Sequence, residues 1–297
     1  MKWEELREEE FGAAVQKSGR LCVLPIGCVE KHGQHLPLGT DIFGARGVCE
    51  MAAEIEDTML FPNAMWLGDV TGVQSRKNPI EQGWAGFIGL STKLLLDILE
   101  ELCDEMYRNG FRKILIVNNH GGNAPLLNLF LRSQEHKGKQ YSTMWTDVND
   151  DTGHKPILFY EHMRDHRDEY PMITDKDLEV LRGYAEREDG FGGGHGDFTE
   201  TARVLGIRPE LVAPERYDAV SGKNTGASAY LKKEGIKVVG AYGADYPNCL
   251  SGHPSFGCTE SIGQALNLYA ARRLARIFKM LKEDEKCVTI SRLQPLD

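Results

Sequence analysis

Residues able to bind a metal or move a proton gather in three short segments. The first is Gly27-Cys28-Val29-Glu30-Lys31-His32-Gly33-Gln34-His35, followed by Gly39-Thr40-Asp41. Glu30 and His32 are two apart, so in an extended segment they point to one side, and a turn containing Pro37 can return Asp41 beside them. The second is Asn118-Asn119-His120-Gly121-Gly122-Asn123, where two glycines leave room beside an imidazole. The third runs from Gly192 through Gly193, Gly194, His195, Gly196, Asp197, Phe198 and Thr199 to Glu200 and Thr201, adding one more imidazole and one more carboxylate. Together Glu30, His32, Asp41, His120 and Glu200, with His195, form an N/O donor set that suits zinc, manganese or iron and lacks the thiolates of a structural zinc site. A carboxylate such as Asp41 can bridge two ions roughly 3.5–4 Å apart, and such a pair holds a hydroxide at neutral pH, as hydrolysis of an unactivated amide requires.

Any one of these residues alone reads as a cap or a solvated surface group; their recurrence in three segments is what favours a shared site. His35 is expected to support the ligands rather than join them. His136, His154, His162, His166 and His253 default to solvated or helix-capping roles. Competing motifs fail: Gly222-Lys223-Asn224 lacks the spacing and hydroxyl of a phosphate loop, and the Gly192–Gly196 run does not follow a strand as GxGxxG. Ser255 lacks the first glycine of a nucleophile elbow, and Cys28, placed after an apolar strand, reads as packed rather than as an amidase nucleophile.

The elements that must position these segments are legible from periodicity. Leu21–Ile26 and Ile114–Val117 are short continuous apolar runs ending in polar, glycine-containing sequence, the pattern of strands buried on both faces. Between them, Leu95, Ile98, Leu99, Leu102 and Met106 follow helical spacing, with Ser91 as N-cap and Gly110 as stop. A helix after Asn123 and a strand around Tyr141–Trp145 complete a βαβαβ order, which implies a parallel sheet with helices on both faces. A last long helix is expected at about 259–283, with Ile262, Leu266, Ala270, Leu274, Ile277 and Leu281 in one stripe. Residues 147–190 are charged, with a short helical pattern at 175–185, and read as an excursion covering the site or an interface. Ligands bind at the carboxyl ends of strands in such sheets, where the first two donor segments fall.

Composition bounds the rest. The 297 residues are 41% hydrophobic, enough to bury a core as a single domain over 1–297 with the excursion as an insertion. A formal charge of −9 argues against nucleic acid and anionic lipid as partners. No apolar run approaches a membrane span and the start, MKWEELREEE, is acidic, so the expectation is a cytoplasmic protein. Seven cysteines without a CxxC pair speak against a zinc ribbon or a disulfide framework.

At these residues the sequence resembles the creatininase (creatinine amidohydrolase) family. The resemblance rests on Leu24-Pro25-Ile26-Gly27-Cys28-Val29-Glu30-Lys31-His32-Gly33-Gln34-His35-Leu36-Pro37-Leu38-Gly39-Thr40-Asp41, on Asn119-His120-Gly121-Gly122-Asn123, and on His195 through Thr201. It implies an α/β fold, a three-layer α/β/α sandwich with a mostly parallel central sheet. It also implies a homo-oligomer, often a hexamer, and a two-metal centre of zinc, manganese or iron that cleaves a C–N bond of a cyclic or small amide such as creatinine. By the same resemblance Glu30 and His120 hold one metal, His32 the other, and Asp41 bridges them, while His195 is the general acid/base. Creatininase has a further glutamate ligand where this chain has Gly122, which makes Glu200 the candidate replacement. Trp84 and Trp145 are the aromatic residues that rough location offers to the site. Other members of the family act on formamides or cleave peptide-derived products, and a non-catalytic metal-binding or sensor protein could keep the same fold.

Overall fold

The computed structural model describes residues 1–62, 68–70, 80–81, 83, 85–135, 137–187, 194–238 and 240–290. Trp84, His136, Gly192 and Gly193, and the end of the charged excursion at 188–190, lie outside the described residues.

Four parallel strands, β1 (Leu21–Ile26), β2 (Met59–Leu60), β3 (Lys113–Asn118) and β4 (Ser142–Asp147), pair in the order β2-β1-β3-β4. The helices in chain order are α1 (Glu8–Lys17), α2 (Thr40–Ile55), α3 (Thr92–Arg108), α4 (Asn123–Glu135), α5 (Asp151–His154), α6 (Pro156–Asp165) and α7 (Asp175–Ala185). They continue with α8 (Phe198–Leu205), α9 (Ala229–Lys233), α10 (Ala241–Asp245), α11 (Glu260–Glu283) and α12 (Lys286–Ile290).

Every residue of β1 and β3 is buried, because helices cover both faces of the sheet. Cys22, Leu24, Ile26, Ile114 and Ile116 pack on Leu95, Leu99 and Met106 of α3 and on Leu127 and Phe130 of α4. The alternate residues Leu21, Val23, Leu115 and Val117 pack on Val48 and Ala52 of α2 and on Ala270, Leu274 and Phe278 of α11. Two-residue alternation thus builds the α/β/α sandwich that the sequence pattern implies.

The local signals explain the helices that were expected. Ser91 Oγ accepts from Leu94 N at 3.4 Å to open α3, and Gly110 follows its end at φ 102°. Helix α2 was not expected, and Asp41 sits in its first turn rather than in a returning turn. Its buried face is Gly44, Ala45, Val48, Cys49, Ala52 and Ala53, small residues whose periodicity is weak on a hydropathy scale although they let the helix approach closely. The excursion is packed: Phe159, Met163, Tyr170 and Leu181 meet Phe198, Ile262 and Leu266 of α8 and α11. Among the described residues no helix is long and apolar enough to cross a membrane.

What joins the excursion to the sandwich is a buried carboxylate. Asp177 accepts from Thr174 N (2.9 Å) and Thr174 Oγ1 (2.7 Å), closing the N-terminus of α7. It also accepts from Thr259 Oγ1 (2.7 Å) and Ser261 Oγ (2.9 Å) at the start of α11. Burial works to raise its pKa, but the Thr259, Thr174 and Ser261 hydrogen bonds prevail and hold it below the usual carboxylate value. The folded state therefore binds fewer protons than the unfolded one, so this stabilisation is complete above about pH 4 and is lost as pH falls through the folded value. Asp177→Ala is expected to cost about 1–3 kcal/mol in denaturant unfolding at pH 7. The loss should shrink toward acid pH; an unchanged midpoint at pH 7 would contradict the role.

Candidate metal centre

Strands β1 and β3 run in register from Leu21 opposite Lys113 to Ile26 opposite Asn118, so their carboxyl ends are level. Asn119 N then donates to Ile26 O at 3.0 Å, and the loops carrying Glu30, His32 and His120 emerge side by side. Gly27 lets the first loop lie on α2: a Cβ at that position would stand 2.8 Å from Asp41 Cβ. The third segment arrives from α8, whose N-cap Asp197 accepts from Thr199 N (3.0 Å), Glu200 N (3.3 Å) and Gly194 N (2.6 Å).

All six expected donors meet. His32 Nε2 lies 3.2 Å from Asp41 Oδ1, 3.6 Å from Glu200 Oε2 and 4.0 Å from Glu30 Oε1. His120 Nδ1 lies 3.0 Å from Glu30 Oε1 and 3.1 Å from Asp41 Oδ2, so the two oxygens of Asp41 face different imidazoles. His195 Nδ1 is 3.6 Å from Glu30 Oε1, and its ring stacks on that of His32 at 4.1 Å. Metal–nitrogen bonds of about 2.0–2.1 Å place the ligand atoms of a tetrahedral ion about 3.3 Å apart, the scale of these separations.

The outer nitrogen of each imidazole is anchored on a backbone carbonyl. His32 Nδ1 meets Glu30 O at 3.1 Å, His120 Nε2 meets Asp69 O at 3.1 Å, and His195 Nε2 meets Lys31 O at 2.7 Å. A carbonyl only accepts, so each outer nitrogen carries a proton and each ring turns its other nitrogen toward the carboxylates. Those facing nitrogens and oxygens call for positive charge between them, supplied by a second proton on the ring or by a bound cation. Burial alone would lower the His32 pKa, yet Asp41, Glu200 and Glu30 push it up to about 10. His120 is likewise raised by Glu30 and Asp41 against the effect of burial. Burial opposes ionisation of Asp41 and Glu30 too, but the facing histidines hold both below the usual range. Glu30 Oε1 and His32 Nε2 are nevertheless buried with no well-formed hydrogen-bond partner. Donor chemistry, spacing and these two orphaned atoms together fit a divalent cation.

Residues behind the donors hold them in place. His35 Nε2 meets Thr201 Oγ1 at 2.9 Å, which meets Ser255 Oγ at 2.9 Å, so His35 and Ser255 buttress α8. Burial, with His32 nearby, lowers the His35 pKa to about 4 and keeps that ring neutral. Gly122 has no room for a side chain, since a Cβ would stand 2.5 Å from His120 Nε2 and 2.7 Å from Asp69 O. A backbone carbonyl that orients His120 occupies this space, and Glu200 brings its carboxylate to His32 Nε2 instead.

Three site features were not read from sequence. Cys28 donates to Asp41 Oδ2 at 3.1 Å, placing a thiol among the donors. Asp69 contributes through its carbonyl, which no side-chain pattern could reveal. Tyr242 and Phe87 line a cleft of about 950 Å³ that opens on Glu30, His120 and His195. Trp145 is not part of it: it packs on the α3 and α4 layer and donates to Asn128 Oδ1 at 3.2 Å. His154, expected to be solvated or capping, is exposed at the end of α5 and also lines the cleft.

Known proteins share this arrangement of chain. The family described as Creatininase, creatinine amidohydrolase, matches residues 4–278. A creatinine amidohydrolase of Pseudomonas putida is 24% identical over 217 residues, 71% of this chain and 74% of the relative. A crystal structure of creatinine amidohydrolase superposes with a TM-score of 0.68 at 19% identity, covering 95% of this chain and 98% of the other. A point mutant of creatininase of Zn–Zn type gives a TM-score of 0.65 at 17% identity, covering 95% and 98% of the two chains. A structure named creatininase Mn gives 0.66 at 18%, covering 95% and 99%.

The Cys28 environment makes a separate expectation. Burial raises its pKa well above the ordinary thiol value, and Asp41 and Glu30 raise it further, so Cys28 stays a protonated donor rather than a nucleophile. Iodoacetamide at pH 8 should leave Cys28 unlabelled in the folded protein, as read by peptide mass mapping. Labelling of Cys28 as fast as that of the half-buried Cys258 and Cys287 would contradict this.

Proposed function

The chain belongs to the creatininase family, and on that premise we propose that it is a dinuclear metal-dependent amidohydrolase cleaving a C–N bond of a cyclic or small amide. The observation that carries this reading is the convergence of three carbonyl-anchored imidazoles on Glu30, Asp41 and Glu200. In the proposed assignment Glu30 and His120 hold one ion, His32 and Glu200 the other, and Asp41 lies between them with one oxygen toward each imidazole. Two divalent cations, zinc or manganese, would supply a water activated at neutral pH and a Lewis acid for the carbonyl oxygen.

The protein's own groups then divide the work. The backbone carbonyls of Glu30, Asp69 and Lys31 fix the imidazole tautomers, so no ring must turn during reaction. His195 lines the cleft, its outer nitrogen is committed to Lys31 O, and Nδ1 is therefore the atom that takes up a proton and returns it to the leaving nitrogen. Its backbone is pinned from both sides: His195 N donates to Ser251 Oγ and Ser251 N to His195 O, each at 2.8 Å. The cleft walls Phe87 and Tyr242 offer flat apolar surface to a small ring or amide plane.

The test is metal content per chain by mass spectrometry, with hydrolysis of a panel of cyclic amides, formamides and dipeptides. Wild-type protein is expected to hold about two metals per chain and to turn over at least one class of amide. Asp41→Asn should bind at most one metal and lose about a hundredfold or more of that activity. Full metal content and activity in the variant would overturn the assignment. Metal loading with no turnover across the panel would favour a binding or sensor protein.

A further inference from the structure

Arg203 is a buried cation in the cleft wall that the hydrolytic chemistry does not use. It lies on α8 three residues after Glu200, on the same helix face, and is 2% exposed. Nη1 donates to Asn267 Oδ1 at 2.9 Å and Nη2 donates to Asn149 Oδ1. Both acceptors are neutral amides, and among the described residues no carboxylate is within ion-pairing distance of the guanidinium. Glu200 turns its Oε2 the other way, toward Gly196 N at 2.6 Å and His32 Nε2 at 3.6 Å. Burial lowers the Arg203 pKa only to about 10, with Glu200 opposing, so the charge persists at neutral pH.

A buried charge is costly unless it is paired, and a guanidinium with unused N–H donors presents a planar fork matched to a carboxylate. The two asparagines hold this fork from α11 and from the loop after β4, and Arg203 lines the same cleft as His195 and Glu200. The surrounding wall holds Glu30, Asp69, Asp147 and Glu200, which repel an anion, and Arg203 is the one Arg or Lys among the described lining residues that can offset that repulsion for a substrate carboxylate.

We infer that Arg203 determines specificity by receiving a carboxylate of the substrate, so that the amide cleaved is one that also bears an acidic group. This rests on the metal-hydrolase reading above, because it takes the reacting carbonyl to lie at the His32, Asp41 and Glu200 cluster. Arg203 also joins α8 to α11, and the test must separate recognition from that structural role.

Binding of two hydroxamates to zinc-loaded protein does so without turnover: succinic monohydroxamate, which carries a carboxylate, and butyrohydroxamate, which ends in a methyl group. Titration calorimetry should show the acidic probe binding about tenfold or more tighter to the wild type. Arg203→Gln should abolish that preference while leaving butyrohydroxamate affinity within about twofold, and Arg203→Lys should retain part of it. A purely structural role would lower the melting temperature of both variants and leave the preference intact. Should Arg203→Gln fail to fold, the wild-type comparison and Arg203→Lys still decide. Equal binding of the two probes by the wild type, or a preference that survives Arg203→Gln, overturns the inference while leaving the metal reading standing. Failure of both hydroxamates to bind overturns the metal reading and this inference together.

Discussion

Three carboxylates stand within 4.0 Å of one buried imidazole nitrogen, His32 Nε2, on a ring whose other nitrogen is held by Glu30 O. Left to itself such a cluster is a heavy electrostatic liability, because buried like charges repel and cannot be relieved by solvent. Positive charge at the centre turns the same geometry into a tight binding site. The rest of the structure serves this constraint by keeping the donors from relaxing apart. His32, His120 and His195 are each tied at the back to a main-chain carbonyl, and Glu200 is tied to Gly196 N. Main-chain partners cannot rotate away, so the tautomers are settled by the fold itself.

That rigidity originates in the sheet. The level ends of β1 and β3 set the two donor loops side by side, and asparagine amides lock them: Asn118 Nδ2 donates to Asp147 Oδ1 at 2.8 Å and to His120 O at 2.9 Å. Asn119 Nδ2 donates to Asp41 O at 3.2 Å, which ties the start of α2 to the end of β3. The third segment depends on a different device, the Asp197 cap of α8, so Glu200 and Arg203 move with the helix as one unit. One helix therefore carries a candidate metal ligand and a candidate specificity residue, and the shared chemistry of the family can persist while substrate preference changes at a neighbouring turn.

Much of this was legible in the residues. Strands β1 and β3 announced themselves as continuous apolar runs, and Glu30, His32 and His120 were legible because they closely follow those runs, whereas the two-residue β2 carries too short a pattern to be read. Helix α2 was obscured because its buried face is built from glycine and alanine, which pack well but carry little hydropathy contrast. The site features that escaped have a common physical reason. The Asp69 carbonyl acts through backbone, Tyr242 belongs to the short helix α10 without periodicity, and Arg203 reads in sequence as an ordinary helix residue until burial removes it from water. Trp145 shows the converse: being near a site in sequence says nothing about which face of a strand a side chain takes, and a strand residue on the wrong face points into the opposite layer.

The most direct test of the central claim, that imidazole lone pairs and carboxylate oxygens gather around paired cations, is X-ray absorption at the zinc edge of protein loaded with zinc. The expected result is a nitrogen and oxygen shell at about 2.0–2.2 Å and a metal–metal vector near 3.5–4 Å. A sulfur shell at about 2.3 Å would instead place Cys28 as a thiolate ligand. That result, or zinc that remains hexa-aquo and unbound, would contradict the centre described.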